Sequence, residues 1–165
     1  MNGEILVACI GNVFLGDDAF GPEMAKRLAG APLPPGITVR DFGIRSYDLA
    51  YALMEDWDLV ILVDALPAGG RPGTLYAFEP EIPARSEISP SPDAHTMSPF
   101  AALQLVHALG GKVGRLLVVG CEPESVEPKR QGEMGLSTAV KGALDEGVQL
   151  VHDLISSARS QALAA

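Results

Sequence analysis

Three places in the sequence carry side chains that could together hold a cation or move a proton. The first is the acidic, glycine-bounded stretch GNVFLGDDAFG (Gly11–Gly21), which offers Asp17 and Asp18. The second is Asp64, at the end of the apolar run DLVILVD, and the third is His95 in SPDAHTMSP. Two carboxylates and a neutral imidazole carry two negative charges, which balance a divalent ion and leave coordination positions open. Such an O,O,N set serves zinc, nickel, manganese or iron and differs from a sulfur-rich structural site. Without a metal, two convergent carboxylates repel and one tends to hold a proton. Each residue also has an ordinary reading when taken alone. Asp17 or Asp18 could cap a helix, Asp64 could accept a hydrogen bond from the next loop, and His95 could be a plain loop histidine. Everything turns on whether the fold gathers them.

The elements that would position them alternate strand and helix. Glu4–Ile10 is a continuous apolar run, as expected of a strand covered on both faces. Gly11-Asn12 break it, and a helix follows over Ala19–Ala29, with Pro22 tolerated in its first turn and Phe20, Met24 and Leu28 on one face. A second strand is expected over Ile37–Asp41, then a helix from Ser46, its cap, to Glu55, with Leu49 and Leu53 inward. Asp58–Asp64 reads as a central, doubly buried strand. Gly73–Phe78 follows too closely for a crossover helix, which makes it an antiparallel neighbour. Glu79–Asp93, with four prolines, reads as a long irregular excursion. Ser98-Pro99 opens a helix to Leu109, Arg115–Cys121 is the last strand, and a helix runs over Ser137–Ser156 with Val140, Leu144, Val148 and Val151 inward. The sum is a single α/β domain over residues 1–157, with 158–165 expected to fray. It is a three-layer α/β/α sandwich around a mostly parallel five-stranded sheet with one antiparallel strand. In such sheets ligands bind beyond the carboxyl ends of the strands. The Gly11–Gly21 turn, Asp64 and His95 all fall there.

Composition narrows the chemistry. The chain has 165 residues, a formal charge of −9, 47% hydrophobic and 20% charged residues. That balance fits one compact domain and opposes nucleic acid or an anionic membrane as partner. No apolar run approaches a membrane span, and the N-terminal stretch reads as a first strand, not a leader. Cys9 and Cys121 sit within strands and read as buried free thiols in a reducing cytoplasm. No GxSxG elbow is present, which disfavours a serine hydrolase. Asp17-Asp18 would repel a pyrophosphate at the helix start, so no nucleotide cofactor is expected. His107 and His152 fall on helices away from the crevice.

GNVFLGDDAFGP, VDA at the end of a central strand, a lone loop histidine and GCEPESVEP (Gly120–Pro128), in that order, resemble the hydrogenase maturation proteases. Those are endopeptidases that trim the C-terminal tail of the nickel-iron hydrogenase large-subunit precursor. The resemblance runs from Ile5 to the last helix and implies the same α/β/α fold. It implies that the family's metal-binding residues fall on Asp18, Asp64 and His95, and that the divalent metal is nickel already inserted in the precursor. It further implies that the precursor is the partner and that no serine or cysteine nucleophile takes part. Where many members carry Gly-Gly after the second strand, this chain has DFGIRSYD (Asp41–Asp48), which keeps Gly43 and adds Arg45. Asp17, Asp41, Gly43, Arg45 and Glu124 are candidate substrate contacts, although Arg45 also suits a salt bridge, and Glu124 and Glu127 suit loop ordering. A monomer is expected. The rival reading is a non-catalytic nickel checkpoint that binds the same precursor without cutting it.

Overall fold

The computed structural model describes residues 3–81, 99–127 and 135–164. Five strands, β1 (Ile5–Ile10), β2 (Ile37–Gly43), β3 (Leu59–Ala65), β4 (Leu75–Phe78) and β5 (Leu116–Cys121), form one sheet in the order β2-β1-β3-β5-β4. All pairs are parallel except β4 with β5. The short β3–β4 connection has the consequence expected of it, since a parallel return would need a crossover of a dozen or more residues.

Four helices cover the sheet: α1 (Phe20–Ala29), α2 (Ser46–Leu53), α3 (Pro99–Ala108) and α4 (Thr138–Ala164). Alternate residues of the central strands feed two separate cores. Val7, Cys9, Ile61, Val63 and Val119 pack with Phe20, Met24 and Leu28 of α1 and Val140, Leu144 and Val151 of α4. Leu6, Ala8, Ile10, Leu62 and Val118 pack with Leu49 and Leu53 of α2 and Leu103 and Val106 of α3. Because both faces are covered, β1, β3 and β5 are buried along their whole length. That burial explains runs such as VILV, which show no polar alternation.

Three local expectations change. The cap position of α2 is Arg45, and Ser46 is instead its first helical residue. Asp17 and Asp18 lie in a 3₁₀ turn, Gly16–Ala19, and α1 starts after Ala19 with no side-chain cap. The last helix does not stop near Ser156 but continues to Ala164, so residues 158–164 are helical and not frayed. Alanine, leucine, glutamine and arginine dominate that stretch and favour helix. Ile155 is buried against the core with Ala158 packed beside it.

The strand order reverses between β1 and β3: the chain leaves β1 for β2 on one side and later returns to β3 on the other. The crevice at that switch point is where an open sheet receives ligands. Gly21 lets α1 pass close over it, since a Cβ there would stand 2.0 Å from the Ile10 carbonyl oxygen and 2.7 Å from that of Val63. Gly21→Ala is expected to cost about 2–3 kcal/mol by forcing α1 off the strands, read as a lowered midpoint in urea unfolding; an unchanged midpoint would show that the contact is slack.

Candidate functional site

The acids of the first turn are held over the end of β1 by close backbone contacts. Gly11 has φ +143°, and a Cβ there would meet the Asp18 carbonyl oxygen at 1.9 Å, so only glycine admits the returning turn. The Gly11 N–H donates to the Gly43 carbonyl at 3.0 Å, joining the ends of β1 and β2. The Asn12 N–H donates to Asp18 Oδ2 at 2.8 Å and orients that carboxylate.

Asp64 stands near the end of β3, opposite Gly120 of β5, and is 4% exposed. Its Oδ1 is fully buried and has no hydrogen-bond partner among the described residues. Burial pushes its carboxyl well above the ordinary range, and the charge of Asp18 adds to the push, offset only in part by the Ala65 N–H. Asp18 is raised as well, by burial, against the lowering effect of the Asn12 N–H. The structure thus brings two of the three expected residues within electrostatic reach of each other. His95 lies outside the described residues. So does the Pro80–Asp93 excursion from residue 82 onward.

Buried carboxyl oxygens are normally satisfied, and an orphan beside a second acid calls for a proton or a cation. The donors present, two hard carboxylate oxygens, fit a divalent ion. Among the described residues no group of three or more His, Cys, Asp or Glu side chains forms a complete cation site. Cys9 and Cys121 are buried free thiols. Burial drives the Cys9 thiol far up, and burial with the charges of Asp17 and Glu122 pushes Cys121 up to about 12. Neither is a thiolate nucleophile near neutral pH.

The neighbours of the pair are mostly structural. Asp17 is buried; Oδ2 accepts the N–H groups of Glu124 (2.8 Å) and Ser125 (3.3 Å), and Oδ1 accepts that of Ser137 (2.6 Å). Its own N–H donates to the Ser125 carbonyl at 3.0 Å. One carboxylate therefore ties the first turn to the loop following β5 and to the start of α4. The Asp41 side chain accepts the Gly43 N–H at 2.9 Å. Arg45 donates to the carbonyls of Asp41 and Phe42 and lies 3.5 Å from Asp48. Glu124 touches the site through its backbone, and its side chain is exposed.

One residue escaped the sequence reading. The buried Glu122 accepts the N–H groups of Ala68 (2.9 Å) and Gly69 (3.1 Å) and the Tyr76 hydroxyl (2.8 Å). These bonds, with one from Gly70, outweigh desolvation and leave the carboxylate below its usual range. Glu122 thereby orders the loop that leaves β3 after Ala65. The available signal was a strand ending in Glu beside a glycine-rich loop, whose amides need an acceptor.

A family model described as hydrogenase maturation protease matches residues 22–154. The chain belongs to that family. This protease is 32% identical over 160 residues to the coenzyme F420 hydrogenase subunit delta of Methanothermobacter thermautotrophicus, covering 93% of this chain and 96% of that one. It is 29% identical over 153 residues to the hydrogenase 2 maturation protease of Escherichia coli, covering 90% and 88%. The solved structure of the Escherichia coli hydrogenase maturating endopeptidase HybD matches with a TM-score of 0.74 at 26% identity, over 93% of each chain. The α/β expectation and the peptidase class both follow.

The raised carboxyl of Asp64 has a consequence for stability. The folded protein binds more protons than the unfolded chain above the ordinary carboxylate pKa, so its stability falls as pH rises toward the raised value. Metal-free Asp64→Asn is expected to be more stable than the parent at pH 7 by on the order of 1 kcal/mol, the gain shrinking toward pH 4. Urea unfolding at both pH values checks this; a loss of stability at pH 7 would mean that Asp64 is satisfied as a charge.

Proposed function

We propose that this protease removes the C-terminal tail of a nickel-iron hydrogenase large-subunit precursor after nickel has been inserted. The observation that carries the reading is the Asp18–Asp64 pair at the switch point of the sheet, in which the buried Oδ1 of Asp64 has no partner among the described residues. In this reading the nickel arrives with the precursor as part of the substrate, and Asp18, Asp64 and His95 receive it. A cation held between carboxylates neutralises them and polarises a nearby scissile carbonyl.

The chain's own residues supply recognition and placement. Before docking, burial and the charge of Asp18 favour the protonated form of Asp64. A nickel-bearing precursor displaces that proton, because ligation requires the deprotonated group. A precursor without nickel offers nothing to exchange for it at this pair. Asp17 and Glu122 hold the surrounding backbone, so the two acids need not reorganise when the substrate enters. Asp41, Gly43, Arg45 and Glu124, at or just beyond the carboxyl ends of β2 and β5, are the proposed substrate contacts. Asp18 and Asp64 thus couple the presence of metal to the position of the bond to be cut.

Asp18→Asn and Asp64→Asn are each expected to slow tail removal by roughly a hundredfold or more, the scale of losing one group that stabilises the transition state. Mass spectrometry of nickel-loaded precursor after incubation reads the loss directly. Full processing by either folded variant would remove that residue from the site. A wild-type protein that binds the precursor and leaves its mass unchanged would be a checkpoint, not a protease.

A further inference from the structure

Eight large apolar side chains are exposed among the described residues: Val13, Phe14, Ile44, Tyr47, Tyr51, Phe78, Leu109 and Val126. Six of them, all but Phe78 and Leu109, fall at one edge of the sheet or on the helix that starts there. Val13 and Phe14 follow the end of β1, Ile44 follows the end of β2, and Val126 follows β5, all at the carboxyl edge. Tyr47 stands in the first turn of α2, just beyond Ile44, and Tyr51 lies one turn further on the same helix face. The Gly11–Gly43 hydrogen bond brings the segments after β1 and β2 side by side. Phe14 is 71% exposed, Ile44 59% and Tyr47 65%. Water-facing aromatic and branched side chains gathered in this way mark an interaction surface, because a lone exposed apolar residue is ordinary and a cluster is not.

Among the described residues the charges interleaved with them are mostly acidic. Asp41, Asp48, Glu124 and Glu127 are exposed along the same edge. Arg45, the cation among them, is engaged by backbone carbonyls and by Asp48. The patch also adjoins the catalytic crevice: the Asn12 N–H that orients Asp18 lies one residue from Val13, and the Asn12 Oδ1 accepts the Phe14 N–H at 3.0 Å.

We infer that Phe14, Ile44, Tyr47 and Tyr51 form a docking surface for an apolar segment of the hydrogenase precursor that is flanked by lysine or arginine. The inference rests on the proposed reading of the site and adds the chemistry of what lies beside it. The apolar side chains supply most of the affinity, and the surrounding acids supply orientation and encounter rate. Docking on this surface holds the precursor's nickel over Asp18 and Asp64.

The test uses the full chain and purified nickel-loaded precursor, with binding measured by calorimetry and cleavage by mass spectrometry. Phe14→Ser, Ile44→Ser and Tyr47→Ser are each expected to weaken binding and raise KM about five- to tenfold, with kcat within twofold. Phe78→Ser and Leu109→Ser, exposed but remote from the crevice, are expected to leave both unchanged. Raising salt is expected to weaken binding by the parent protein. Unchanged affinity in all three patch variants would overturn the inference, and so would a failure of the parent to bind the precursor. So would a concentration-dependent dimer, seen by sedimentation, that the patch variants dissolve, because the surface would then belong to a second copy. Binding with the expected variant pattern but no cleavage would uphold the surface and sink the proteolytic reading.

Discussion

The structure is organised around an electrostatic conflict. Asp64 is almost sealed from water, its Oδ1 has no donor among the described residues, and a second acid, Asp18, acts on it. Unpaired buried charge is among the costliest features a fold can carry, and proteins relieve it by protonation or by binding a counter-ion. Here the fold holds the two acids together instead of separating them. Local destabilisation of this kind is tolerated where a ligand relieves it.

The backbone around the pair is arranged so that neither acid can retreat. Glycines at positions 11 and 21 allow the 3₁₀ turn and α1 to sit directly on the ends of β1 and β3. Two further carboxylates serve as internal clamps. Asp17 gathers amides from the segment after β5 and from Ser137, and Glu122 gathers those of the loop after β3. Four acids thus meet at one edge with opposite duties. Asp17 and Glu122 are satisfied by N–H and O–H donors and fix structure, while Asp18 accepts the Asn12 N–H and the Oδ1 of Asp64 has no donor among the described residues. Hydrogen-bond supply, not residue type, separates the two classes.

Much of this was legible in the sequence because it rests on local rules. Unbroken apolar runs announced doubly covered strands, and the brevity of the 65–75 connection announced the antiparallel one. Asp64 stood out because an acid interrupts VILVD where a parallel strand meets the crevice. The duty of Asp17 was not legible, since its partners lie 107 to 120 residues away and only the fold brings them near. Glu122 was hidden for the same reason, looking like a simple strand terminator until its loop donors are placed. Asp41 and Arg45, proposed substrate contacts, are also tied to their own turn through the Gly43 amide and the carbonyls of residues 41 and 42, bonds that no spacing rule announces. The family resemblance chose Asp18 over Asp17. The structure explains the difference physically: one carboxylate is saturated with donors and its neighbour is left to face Asp64.

The functional picture follows from that division. In the proposed reading, clamped backbone presents two acids to a cation carried by the precursor, beside an apolar surface that holds the precursor. Nickel K-edge X-ray absorption on the loaded precursor, alone and in complex with this protease, tests that contact most directly. Formation of the complex should add oxygen or nitrogen neighbours to the first shell of the nickel, and Asp64→Asn should diminish the change. A nickel shell identical in the free precursor and in the complex would contradict the role assigned to the pair.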